Sequence, residues 1–103
     1  MNIPNIYDYV LCKEHDSNKY LDLFLENNIG QIIKFNFISQ HYNSFVVEYT
    51  NAPTGILDYF YSENSRIYRT MIISDTMMKS DIIKFSSNKQ DLEIMIDSNK
   101  YNL

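Results

Sequence analysis

This sequence predicts an α+β fold: a small, strongly bent antiparallel sheet of about five to six strands with one N-terminal helix. Three observations support it. Two runs, 30–37 and 45–49, alternate apolar and polar residues at the two-residue period of a strand with one wet side. Ahead of them Leu21, Phe24 and Leu25 fall at the i, i+3, i+4 spacing of an amphipathic helix. The remainder is a series of β-branched and aromatic runs separated by turn residues. A strand, a helix and then some five strands make an α+β order, and closing such a sheet into an SH3-like β-barrel would remove its exposed edges.

Taken in order, residues 6–12 follow Pro4 as a first strand, with Tyr7, Tyr9 and Leu11 on one side and Ile6, Val10 and Cys12 mostly on the other. Residues 13–17 turn the chain, and Asp16 or Ser17 has the short side-chain oxygen that caps a helix over 18–28. Asn27 and Asn28 stop that helix before Gly30, which serves as a pivot from helix to strand. Residues 28–49 form the founding hairpin. Ile33, Phe35 and Phe37 share one face with Phe45, Val47 and Tyr49 and are expected to seed the core, while Lys34, Asn36, Glu48 and Thr50 face water.

Pro53 and Gly55 mark a turn, Pro by its fixed φ and Gly by its tolerance of positive φ. Residues 56–61 and 66–73 then read as a second hairpin around the polar turn 62–65. Ser74 or Asp75 caps a single helical turn over 76–79, and residues 81–85 form a further strand. In 92–97 the apolar residues Leu92, Ile94 and Ile96 alternate, which predicts a final edge strand with a fraying tail over 98–103. Such an edge could pair with its twin in a homodimer.

Composition narrows the function classes. With 103 residues, 45% hydrophobic and 21% charged, the chain is expected to fold as a single domain over 1–103. A net charge of −4, with nine scattered basic residues, disfavours direct binding of a nucleic-acid backbone. One cysteine excludes an intramolecular disulfide, and the opening residues have neither a basic region nor an apolar core of a signal peptide, so a cytoplasmic location is expected. No apolar stretch nears the roughly 20 residues of a membrane-spanning helix.

No catalytic, metal or cofactor signature stands out. Cys12, His15 and His41 with Glu14 or Asp16 would have to assemble a zinc site without recognisable ligand spacing. A Cys12–His41 nucleophilic pair would need an orienting third group and an electropositive setting. The thirteen carboxylates are spread evenly, and Gly30 and Gly55 are too isolated to form a phosphate loop. The sequence therefore points to a non-enzymatic protein with no catalytic, metal or cofactor residues.

Nine tyrosines without a tryptophan are the most informative surface feature, because tyrosine buries apolar area and keeps a polar tip. The candidate partner-binding residues are Tyr42, Tyr59, Tyr61, Glu63, Arg66, Tyr68 and Arg69. Together with the acidic charge and an Asn-, Ile-, Lys- and Tyr-rich composition, they fit a phage or mobile-element inhibitor of anti-CRISPR or other anti-defence type, which binds a host protein such as a nuclease. An immunity protein or antitoxin occluding a toxin is the alternative. From another class, a small β-barrel binding single-stranded nucleic acid would use Tyr59, Tyr61, Arg66, Tyr68 and Arg69 as stacking and charge contacts.

Overall fold

The structure is a computed structural model that describes residues 3–14, 18–50, 52–75 and 79–101, with side chains through residue 98. Among the described residues the chain forms a six-stranded antiparallel sheet, two α-helices and a 3₁₀ helix. In chain order these are β1 (Tyr9–Cys12), α1 (Lys19–Asn27), β2 (Gly30–Ile38), β3 (Tyr42–Tyr49), the 3₁₀ helix (Thr54–Tyr59), β4 (Tyr61–Glu63), β5 (Arg66–Ser74), β6 (Ile82–Ser86) and α2 (Lys89–Tyr101). The strand order is β4-β5-β3-β2-β1-β6. The architecture is thus α+β, and the sheet is not closed. Beyond the reach of the short β4, β5 meets the residue ahead of β6: the Asp81 amide donates to the Ile72 carbonyl at 2.8 Å and its carboxylate accepts from the Ile72 amide at 3.0 Å.

The hairpin of β2 and β3 is the centre of the sheet, as expected, but only half of its inner face was assigned correctly. Phe45, Val47 and Tyr49 are fully buried. On β2 the buried residue is Ile32, paired with Val47, and not the triad Ile33, Phe35 and Phe37. Register shifts between Ile32 and Lys34, and again between Phe35 and Phe37, explain the difference. Each bulge inserts a residue, so the two-residue alternation that put those three on one face does not survive along the strand. Gly30 is buried opposite Val10, and its φ is not positive. Its role is steric, because a Cβ there would stand 2.8 Å from Cζ of Tyr49 and closer still to Val47.

Helix α1 buries Leu21, Phe24 and Leu25 as their spacing requires. Its cap is Asn18, whose Oδ1 accepts from the Leu21 amide at 3.0 Å; Asp16 and Ser17 lie outside the described residues, as does His15. At the other end the Asn27 and Asn28 side-chain amides donate to the Leu23 and Phe24 carbonyls, each at 2.8 Å. Both side chains thus fold back onto the last full turn of the helix.

β1 is covered on both faces. Val10 and Cys12 join the main core with α1, β3 and β5, while Leu11 packs with Leu92 and Ile96 of α2. This second layer corrects the expectation of an edge strand over 92–97. Leu92 and Ile96 are one helical turn apart on the buried face, and Ile94 is exposed. Asn88 starts the helix by accepting from the Gln90 amide at 3.0 Å, so the fold has a C-terminal helix besides the N-terminal one, and the homodimer edge assigned to 92–96 does not exist as a strand.

Residues 56–61 also depart from expectation. Pro53 leads into the 3₁₀ helix, where the Ile56 amide donates to the Pro53 carbonyl at 2.9 Å and Ile56 alone is buried. Gly55 lies in this helix without positive φ. β4 begins only at Tyr61 and returns through Asn64 and Ser65, both at positive φ, in a two-residue turn whose handedness matches strand twist. The single helical turn expected over 76–79 falls largely outside the described residues, as does the end of the tail. No helix among the described residues is long and apolar enough to cross a membrane.

Candidate functional site

The exposed face of the sheet carries a groove of about 540 Å³ lined by Ile33, Lys34, Val46, Tyr59, Tyr61, Glu63, Tyr68, Arg69 and Thr70. Its floor is a cross-strand row: Lys34 on β2 pairs with Val46 on β3, which pairs with Thr70 on β5. Tyr59 ends the 3₁₀ helix, and the turn through Phe60 brings Tyr61 onto β4 opposite Tyr68 of β5. The Tyr61 and Tyr68 rings lie 6.4 Å apart with 37° between their planes. Tyr61 is 68% exposed, which leaves most of its ring free to contact another molecule.

Arg69 is anchored at the groove. Its Nη2 donates to Glu14 Oε2 at 2.6 Å, and its guanidinium sits 6.0 Å from the centre of the Phe60 ring. Phe60 in turn packs against Phe24 and Tyr49, so the wall of the groove is continuous with the core. Lys34 and Glu63 differ from Arg69. Both are exposed, and neither is engaged in an ion pair among the described residues. The groove therefore offers three aromatic rings, one unpaired cation and one unpaired carboxylate.

Five of the seven candidate residues, Tyr59, Tyr61, Glu63, Tyr68 and Arg69, come together here. Arg66 lies beside it, itself exposed, 3.6 Å from the carboxylate of the half-buried Glu48. Tyr42 does not join them: it sits at the far end of β3, with its ring 5.5 Å from that of Phe37. Sequence reasoning missed the floor residues Ile33, Val46 and Thr70 as site residues. The alternation that sent Lys34 to the wet face was the available signal, since its cross-strand neighbours share that face. The groove is tyrosine-rich, but it is not acidic.

The other chemistry-bearing groups are placed differently. Cys12 is fully buried, and burial pushes its thiol up to about 12, only partly offset by the Tyr49 hydroxyl beside it. A thiol in that state is protonated near neutral pH and is a poor nucleophile or ligand. The Tyr49 hydroxyl is likewise driven well above its ordinary value by burial, and it has this weak sulfur neighbour in place of a well-formed hydrogen bond. His41 is in the β2–β3 turn, with Nδ1 3.3 Å from Asp75 Oδ2 in the open. Among the described residues no three His, Cys, Asp or Glu side chains cluster as metal ligands.

No protein-family model, no curated protein and no solved structure significantly matches the chain.

Proposed function

We propose that this chain is a non-enzymatic binding protein that holds a partner protein in the tyrosine-lined groove. The convergence of Tyr59, Tyr61 and Tyr68 on a sheet floor is the observation that carries the reading. Tyrosines fixed on regular elements contribute large contact area at little cost in side-chain entropy, and such residues dominate binding energy at protein interfaces. The sheet supports this use, because β3 is paired with β5 along its whole length and with β2 from Asn43 to Glu48, and its core face is closely packed. The approach of β6 to β5 at Asp81 favours an SH3-like barrel as the nearest closed form of this bent sheet.

Within this class the reading is an inhibitor of the anti-CRISPR or wider anti-defence type, with a host nuclease as its target. The net charge of −4 suits a basic partner. An immunity protein or antitoxin is the nearest relative of that reading. Because the groove itself is of mixed charge, aromatic contact is assigned the main share of affinity, and long-range attraction falls to the acidic remainder of the surface. Affinity capture from host lysate, with the native protein and with Tyr61→Ala in parallel, tests the proposal. Retention of one protein by the native chain alone supports it, and equal retention by both removes the groove from the interaction.

One observation favours a second reading. Lys34 stands unpaired among three tyrosines, the arrangement a single nucleic-acid strand would use for phosphate and base. Titrating a fluorescent oligonucleotide at low salt separates the two: saturable binding lost in Lys34→Ala supports this reading, and no binding eliminates it.

A further inference from the structure

The free charges of the tyrosine-lined groove lie at its two ends. Lys34 stands in the row Lys34–Val46–Thr70, while Glu63 of β4 faces Arg66 of β5, on the far side of Tyr68 from that row. The direct line between the two charges crosses the outer face at Val46 and Tyr68. Three strand spacings of about 4.8 Å separate β2 from β4, and Thr70 to Arg66 is four residues at about 3.3 Å each, so the diagonal measures about 20 Å.

The other charges near this line are already paired within the molecule. Arg66 lies 3.6 Å from Glu48, and Arg69 is directed inward to Glu14 at 2.6 Å. Lys34 and Glu63 are exposed and, among the described residues, in no ion pair. Between them the rings of Tyr61 and Tyr68 stand 6.4 Å apart, with Tyr59 in the same wall, a lining suited to apolar and aromatic side chains. The groove thus has a basic end, an aromatic middle and an acidic end.

We infer that the groove takes an extended segment of the partner protein, with an acidic residue at the Lys34 end, a basic residue at the Glu63 end and apolar residues between them. Such an occupant presupposes that the groove is the binding site for a partner protein. An extended chain advances about 3.3 Å per residue, so the two charged residues stand about six positions apart, an even spacing that turns both towards the sheet. Tyr61 is two residues from Glu63 on β4, so the basic residue also meets an exposed ring to which a cation is attracted. A nucleic-acid strand brings phosphate for Lys34 but no cation for Glu63. A wholly basic peptide would set like charges together at Lys34.

Random displayed peptides about 12 residues long, twice the required span, are selected on the native chain, on Lys34→Glu and on Glu63→Lys. The native chain is expected to enrich one acidic and one basic residue at the stated spacing around apolar residues. Lys34→Glu should enrich two basic residues at that spacing and Glu63→Lys two acidic ones, whichever way the segment runs. Each variant should bind the native-selected peptides about tenfold more weakly. Both positions are exposed, so circular dichroism should be unchanged, and if one variant does not fold the other decides alone. Peptides that lose binding to Tyr61→Ala but show no charge pair, or a consensus that neither reversal alters, overturn the inference and leave the groove as the binding site. Peptides that bind Tyr61→Ala as well as the native chain overturn both. No enrichment by the native chain also overturns the inference, and an oligonucleotide bound in that case assigns the groove to nucleic acid.

Discussion

Arg69 of β5 and Glu14, just beyond β1, are joined by a 2.6 Å bond between side chains that are 25% and 8% exposed. The Glu14 amide also donates to Asp22 Oδ1 of α1 at 3.1 Å, so one residue ties the helix, the first strand and the groove together. The consequence for Arg69 is that Nη2 is held by Glu14 while Nη1 is buried without a hydrogen-bond partner, so the guanidinium faces inward. It acts as a wall that positions Phe60 and the turn into Tyr61, and is not a free contact for phosphate.

Removing one partner of a largely buried pair leaves the other charge without compensation. Arg69→Ala is therefore expected to destabilise the fold by about 3 kcal/mol, somewhat softened by the exposed part of the arginine. Urea unfolding at neutral pH measures it. Tyr61→Ala, at an exposed position, should lie within about 0.5 kcal/mol of the native chain in the same experiment.

The pairing of Cys12 with Tyr49 predicts alkaline sensitivity. Burial raises the thiol from 9.0 to about 12; the Tyr49 hydroxyl lowers it, Asp81 adds a smaller rise and Arg69 a small lowering. A raised value means that the folded state holds the proton more tightly than the unfolded chain. The resulting stability is fully present below pH 9 and is lost as pH climbs towards 12. Tyr49 acts with the same sign above its ordinary 10.0. Urea midpoints across this range should fall for the native chain and less steeply for Cys12→Ala. A thiol reagent at pH 8 should label Cys12 only at the rate at which the protein opens.

The two glycines should respond differently to alanine. At Gly30 the new Cβ meets two fully buried side chains, Val47 and Tyr49, which cannot move away cheaply. Overpacking of this kind costs about 1–3 kcal/mol. At Gly55 the nearest atom is Cε1 of the exposed Tyr20 at 3.0 Å, a ring that can swing aside. Gly55→Ala should change stability by less than about 1 kcal/mol, with the reduced freedom of the unfolded chain acting in its favour. Thermal melts of the two variants side by side provide the comparison.

The sequence made β3 and α1 legible because each keeps one periodicity from end to end. β2 misled because its two bulges, at Ile33 and Asn36, change the face on which later residues sit, and nothing in a one-dimensional alternation marks a bulge. Residues 92–97 fit both periods: Leu92, Ile94 and Ile96 alternate, yet Leu92 and Ile96 are also an i, i+4 pair. The deciding signal was upstream, where Asn88 precedes a stretch free of Gly and Pro with Asp91 in its first turn, the pattern of a helix start. Tyr59, Tyr61 and Tyr68 were visible as an aromatic cluster around one turn. Their floor of Ile33, Val46 and Thr70 was not, since it depends on strand order and register.

The binding role of the groove is tested most directly by calorimetric titration of the captured partner with the native chain, with Tyr61→Ala and with Glu93→Ala on α2 as a distant control. The expected result is a dissociation constant raised about 30-fold by Tyr61→Ala, the loss of an interface hot spot of about 2 kcal/mol, and left unchanged by Glu93→Ala. Equal affinity for the native chain and Tyr61→Ala, or weakening by Glu93→Ala alone, would place the contact outside the groove and contradict the proposed function.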